Sequence, residues 1–190
     1  MRIAITGGPA DGKSTVLSAL SERGYACVSA DDVVREIQAS ADYLRTVGEV
    51  FGPQATAGGS LNRDFVRGQI LTDPSLRRAL NRITHRAALD ALLDRLADAS
   101  SPAFAEVPLL IETSCQGSFD EVWVCDAGEE ERRRRLLERH DGDARSVDLA
   151  LQVQLPTEVK AAFADRILRT NQPMPAVKLL AIQLASSLAR

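Results

Sequence analysis

Aromatic side chains are scarce in this sequence, at 4% of 190 residues. That argues against a stacking platform of the kind that holds single-stranded nucleic acid. An excess of one charge is lacking too. The formal net charge is −3, which creates no global field to attract a nucleic acid. No apolar run is long enough to span a bilayer. The residues after Met1 lack a signal-peptide layout, because an apolar strand begins almost at once. A cytoplasmic protein with neither a membrane nor a nucleic-acid partner is therefore expected. The cysteines, Cys27, Cys115 and Cys125, are odd in number, and their spacing fits no metal or redox motif. They read as small buried hydrophobes in a reducing compartment.

With 45% apolar and 26% charged residues, the chain has material for a core and no signature of disorder. Its length suits one compact α/β domain with a small helical insertion, expected to act as a monomer. Residues 2–6 form a short apolar strand that runs into glycines. Residues 14–23 follow as a helix, with Val16, Leu17 and Leu20 spaced for one face and Gly24 as its stop. Further strands are expected at 25–29, 103–111, 121–126 and, weakly, 166–168. A long helical stretch covers 32–99, broken near 52–60 and at Asp73-Pro74. Helices follow at 129–139, at 143–154 and at the C-terminus. Short apolar strands alternating with helices predict a parallel sheet covered on both faces.

Gly7, four residues, then Gly12-Lys13-Ser14 fit the phosphate-loop pattern. The chemistry needs these types. Glycines let the backbone turn tightly and aim its N–H groups at phosphates. The following helix adds its positive N-terminal end. In this reading Gly8, Ala10, Asp11, Gly12, Lys13, Ser14 and Thr15 bind the phosphates of a nucleotide, and the motif alone does not separate kinases from GTPases or motor ATPases. Lys13 reaches the β- and γ-phosphates, Ser14 is the magnesium ligand, and Thr15 lies near the α-phosphate. Asp11 places a carboxylate inside an anion-binding loop, so its side chain is expected to point outward. No Asn-Lys-x-Asp guanine motif is present, and no apolar strand ends in Asp-Glu as in motor ATPases. Asp31 and Asp32 follow the second strand, where small kinases keep a carboxylate to take an acceptor's proton. They serve equally as a helix N-cap and a first-turn charge. Glu129, Glu130 and Glu131 precede Arg132–Arg135, so three i,i+4 pairs on a solvated face are expected.

Taken in order, these segments resemble the dephospho-CoA kinase family over nearly the whole chain. The matching pieces are Thr6-Gly7-Gly8, then Ser29-Ala30-Asp31 with Arg35, Leu61-Asn62-Arg63 and Asp73-Pro74. They continue with Ile83-Thr84-His85, Pro108-Leu109-Leu110-Ile111-Glu112, and Arg135 with Arg139. Last come Gln154, Pro156 and Lys160, then Ala164-Asp165 and Asn171. Ser29 stands where the family has a first Asp, Arg86 where it has Pro, and Pro9-Ala10-Asp11 where it prefers Ile-Gly-Ser. Asn171 falls one residue later than usual.

The resemblance implies a P-loop NTPase fold: a five-stranded parallel sheet flanked by helices. The core would be about residues 1–34, 100–138 and 161–190, with a substrate-covering helical insertion at about 35–99 and a short lid at about 139–160. It implies ATP-dependent phosphorylation of the ribose 3′-hydroxyl of dephospho-CoA, with ATP and magnesium as cofactors. Asp31, Lys13 and Arg139 would be catalytic, and Arg135, Arg139 and Asn171 would join the loop at ATP. Thr6, Asp31, Arg35, His85, Pro108, Leu109 and Glu112 would hold the acceptor. Glu106 is a further candidate near the site, or a partner for a helix. The departures leave two other readings open: a kinase for a nucleoside, nucleoside monophosphate or other metabolite, and a non-catalytic nucleotide-binding protein.

Overall fold

The fold was taken from a computed structural model that describes residues 1–97, 99 and 102–188. The expected core boundary at residue 100 and the chain end at 189–190 lie outside the described residues. The chain forms two compact units, residues 1–29 with 95–190, and residues 30–94.

The first unit holds the sheet. Strands β1 (Arg2–Thr6), β2 (Ala26–Ser29), β3 (Ala103–Glu106), β4 (Glu121–Asp126) and β5 (Arg166–Arg169) lie in the order β2-β3-β1-β4-β5. Every pairing is parallel. The side-chain period of two sorts the strands between faces. Ile3, Ile5, Phe104, Trp123, Cys125 and Leu168 point to one face. They meet Val16 and Leu20 of helix α1 (Lys13–Glu22), and Val177, Ala181 and Ala185 of the C-terminal helix (Met174–Leu188). Small or β-branched Ala4, Ala103, Ala105, Val122 and Val124 alternate with them and are also buried. A sheet covered on both faces results, as the short apolar strands require. Cys125 belongs to this core, and burial pushes the half-buried Cys27 thiol up to about 11.

Strand β3 stops at Glu106 rather than running to residue 111. Past it the backbone turns repeatedly, with Leu110 N–H donating to Val107 O and Thr113 N–H to Leu109 O. Helix α6 (Glu129–Arg139) forms as expected, α7 is Ala144–Gln152, and α8, a short helix the pattern missed, is Thr157–Ala161.

The second unit is helical: α2 (Ala30–Ile37), α3 (Ala41–Phe51), a kinked 3-10 segment (Pro53–Gly59), α4 (Arg63–Thr72) and α5 (Pro74–Ala97). The C-terminal helix is thus α9. The starts of these helices are written locally. Ser40 accepts from Tyr43 N–H and Asn62 from Phe65 N–H. Asp73 accepts from Ser75 N–H at 2.7 Å, with Pro74 as the first helical residue. Tyr43, Val47, Phe51, Ala55 and Val66 make a core of its own, and the Tyr43 hydroxyl hydrogen-bonds Thr84 at 2.8 Å.

Candidate active site

β1 is the central strand, with β3 on one side and β4 on the other. The chain goes from β1 to β2 on one flank and later from β3 across to β4. Ligands of open α/β sheets bind beyond the carboxyl ends of strands at such a switch point. The loop of residues 7–12 leaves β1 there. Gly7 has φ 146°, and a Cβ on it would lie 2.5 Å from the Cys125 carbonyl oxygen. Gly12, with φ 81°, caps the start of α1. Ala10 has φ 63°, a left-handed conformation rare without glycine.

Lys13 is buried, and its ammonium donates to Gly8 O at 2.6 Å and Gly7 O at 3.2 Å. Burial pulls its pKa below the ordinary lysine value, an effect opposed by Glu106, Cys125 and Asp11. Ser14 is exposed, and its hydroxyl donates to Glu106 at 3.2 Å. Thr15 is half-buried in the first turn of α1.

Asp11 does not point outward. Its side chain is fully buried. It accepts from Gly8 N–H at 2.7 Å, Thr157 Oγ1 at 2.5 Å and Ala127 N–H at 3.2 Å. The Arg132 guanidinium lies 3.6 Å away. Buried carboxylates persist when charge and lone pairs are matched in this way, so the expected conflict with phosphate does not arise from a side chain turned inward.

The arginine-rich helix differs from the expected self-paired face. Of the three anticipated pairs, Glu131 with Arg135 forms, at 2.7 Å. Arg134 joins Glu131 and Glu138, while Arg133 reaches Asp148 of α7 at 2.9 Å. Arg132 is buried and donates to Thr157. The usable signal was its place one turn before Leu136, which puts both on the inward face. Arg135 spans two backbone carbonyls, Ala10 O at 3.2 Å and Thr170 O at 2.6 Å, so it braces the loop. Arg139 ends α6 exposed, and Asn171 is exposed just after β5.

Among the expected acceptor residues of this unit, Thr6 is fully buried and donates to Pro108 O at 3.4 Å. Leu109 is exposed. Glu112 accepts from Leu155 N–H at 2.8 Å and pairs with Lys160 at 3.0 Å. Lys160 is fully buried and also donates to Pro108 O, Gln154 and Gly7 O. In the second unit, Asp31 is exposed in the first turn of α2, Arg35 pairs with Asp32 at 2.7 Å, and His85 is exposed on α5.

A parallel sheet, a glycine loop at the carboxyl end of its central strand, and a buried lysine beside a serine–glutamate pair define a P-loop phosphotransferase. The dephospho-CoA kinase family model matches residues 1–175. A dephospho-CoA kinase from Streptococcus mutans is 31% identical, with 99% of this chain and 96% of the relative covered. The chain therefore belongs to the dephospho-CoA kinase family. Among solved structures, TT1252 from Thermus thermophilus superposes with a TM-score of 0.80 at 28% identity, covering 98% of this chain and 97% of that one. A dephospho-CoA kinase from Campylobacter jejuni shares the fold, with a TM-score of 0.64 at 17% identity over 98% of this chain and 96% of that one. No helix among the described residues is long and apolar enough to cross a membrane.

Proposed function

We propose that this chain transfers the γ-phosphoryl group of ATP to the ribose 3′-hydroxyl of dephospho-CoA, giving CoA and ADP. The observation that carries the reading is the loop of residues 7–15, with Lys13 and Ser14 set on a β1–α1 junction within this family's sequence. In the reaction the acceptor oxygen bonds to the γ-phosphorus, the bond from that phosphorus to the bridging oxygen of ADP breaks, and the hydroxyl proton goes to Asp31. Ser29 carries no carboxylate, so Asp31 would act alone. The alternative for Asp31 is a favourable first-turn charge at α2. Lys13 leaves the Gly7 and Gly8 carbonyls to meet phosphate, and Arg139 adds a positive charge, with Arg135 second. Balancing charge on the moving phosphoryl group is the main contribution to catalysis in this chemistry.

Magnesium suits the donors present. The Ser14 hydroxyl and Glu106 carboxylate are hard oxygens 3.2 Å apart, and this cation binds through few protein oxygens plus phosphate and water. When bound, it neutralises charge on the β- and γ-oxygens. The same reading assigns the acceptor to a covering helical insertion at about 35–99 together with Thr6, Asp31, Pro108, Leu109 and Glu112, ATP shielding to a lid at about 139–160, and action as a cytoplasmic monomer.

The test is ADP release with MgATP, comparing dephospho-CoA with nucleosides and nucleoside monophosphates, and weighing the product. Turnover with dephospho-CoA and a product of CoA's mass is expected. Asp31→Asn should lower kcat by about two to four orders of magnitude, the range of general-base contributions, with KM for ATP unchanged. Turnover with another acceptor alone, or normal turnover of Asp31→Asn, would overturn the acceptor or the base respectively.

A further inference from the structure

The Gly7–Gly8 peptide is gripped from both sides. Its N–H, on Gly8, donates to Asp11 Oδ2 at 2.7 Å. Its carbonyl, on Gly7, accepts from Lys13 at 3.2 Å and from Lys160 at 3.3 Å. Rotation of this peptide would break contacts on both edges at once. Behind Asp11 stands Thr157, 146 residues away in sequence, whose hydroxyl donates to the carboxylate at 2.5 Å. That hydroxyl in turn accepts from buried Arg132, which fixes the direction of its own proton. The assembly lies against Gly8 with no room to spare. A Cβ on Gly8 would sit 2.7 Å from Thr157 Oγ1 and 3.0 Å from Asp11 Oδ2.

We propose that Asp11 is a positioning residue for nucleotide binding: from inside the protein it sets the Gly7–Gly8 peptide that parks Lys13, and through Thr157 it ties the phosphate loop to helix α8. This rests on the reading of residues 7–15 as the ATP site. The carboxylate does not touch the nucleotide. It restrains the loop before phosphate arrives, so less order must be imposed on binding. The same carboxylate also accepts from Ala127 N–H and lies beside Arg132, so nucleotide affinity and melting temperature have to be read together to separate positioning of the loop from a general contribution to stability.

Calorimetry of MgADP binding to the full chain tests this, alongside KM for ATP and for dephospho-CoA. Thr157→Val is nearly isosteric and keeps the fold if Asp11→Ser does not. It should weaken MgADP about threefold, and Asp11→Asn, which turns one acceptor into a donor, about tenfold, the effect of one buried charged hydrogen bond. KM for ATP should rise by the same factors, with KM for dephospho-CoA unchanged. The pair Asp11→Ser/Thr157→Val should bind no worse than Asp11→Ser, because the hydroxyl acts through the carboxylate. Unchanged MgADP affinity in Thr157→Val and Asp11→Asn with lowered melting temperatures, or additive losses in the pair, would overturn the inference while leaving the ATP site standing. Failure of the unaltered protein to bind MgADP would remove both.

Discussion

At the scale of single residues, the phosphate loop carries strain at Ala10. Its φ of 63° places Cβ near its own backbone, at a cost of about 1–2 kcal/mol for a residue with a side chain. Arg135, donating to Ala10 O, is among the contacts that hold it there, as such conformations require. Ala10→Gly removes the clash but frees the unfolded chain, a penalty of about 0.5–1 kcal/mol. The balance favours the glycine variant by some tenths to about 1 kcal/mol. Urea unfolding followed at one pH measures it, and a variant less stable than the parent would show that no strain is stored at this position. Residue types in this loop were legible from spacing, because Lys13 and Ser14 follow Gly12 in a fixed pattern. The direction of Asp11 was not. Whether a carboxylate turns in or out depends on Arg132, Thr157 and Ala127, more than a hundred residues downstream, and no local pattern encodes them.

At the scale of elements, the edge strand β5 is held to β4 by an ion pair as well as by its ladder. Arg166 donates to Glu121 at 2.9 Å, and the Trp123 indole N–H donates to the same carboxylate oxygen at 2.8 Å. Hydrogen bonding from Arg166 lowers the pKa of Glu121 below 4.5. A carboxyl group with a depressed native pKa binds fewer protons in the native than in the unfolded state. Its stabilisation is therefore full above pH 4.5 and is lost as pH falls through the native value. Glu121→Gln should cost about 1 kcal/mol at pH 7, and the gap from the parent should narrow as pH falls below 4.5 through the lowered native value. Trp123, the single tryptophan, reports both transitions by fluorescence, and a gap that stays constant as pH falls until the parent itself unfolds would refute the charge-based account. The strands were legible where apolar runs are bounded by glycine or polar residues, as in β1 and β4. Strand β3 was overextended because Leu109, Leu110 and Ile111 continue the apolar run, yet these residues pack as turns after Pro108. The five-residue α8 escaped notice because it is too short to display a helical period. Its two inward residues, Thr157 and Lys160, are nevertheless the ones that grip the loop.

At the scale of the whole molecule, both proposed substrates are polyanions and the protein is itself at −3. Long-range attraction therefore gives neither substrate an advantage, and recognition has to come from local donors. Those identified around the phosphate loop, from Lys13 to Arg132, Arg135 and Lys160, all belong to the unit of residues 1–29 with 95–190. The ATP side can thus be ordered by one unit alone. Asp31, Arg35 and His85 belong to residues 30–94, which have their own apolar core, so this unit can open and close its backbone hydrogen bonds without melting the sheet. Hydrogen exchange should therefore divide the ligands. MgADP slows exchange in residues 7–15, 127–135 and 154–160 and leaves residues 63–94 unchanged. Dephospho-CoA, added alone, slows exchange within residues 30–94, because a ligand protects the segment whose open forms it does not bind. If dephospho-CoA instead protected residues 7–15 alone, the acceptor would not bind where Asp31 can serve it, and the assignment of the base would fall with that of the helical unit.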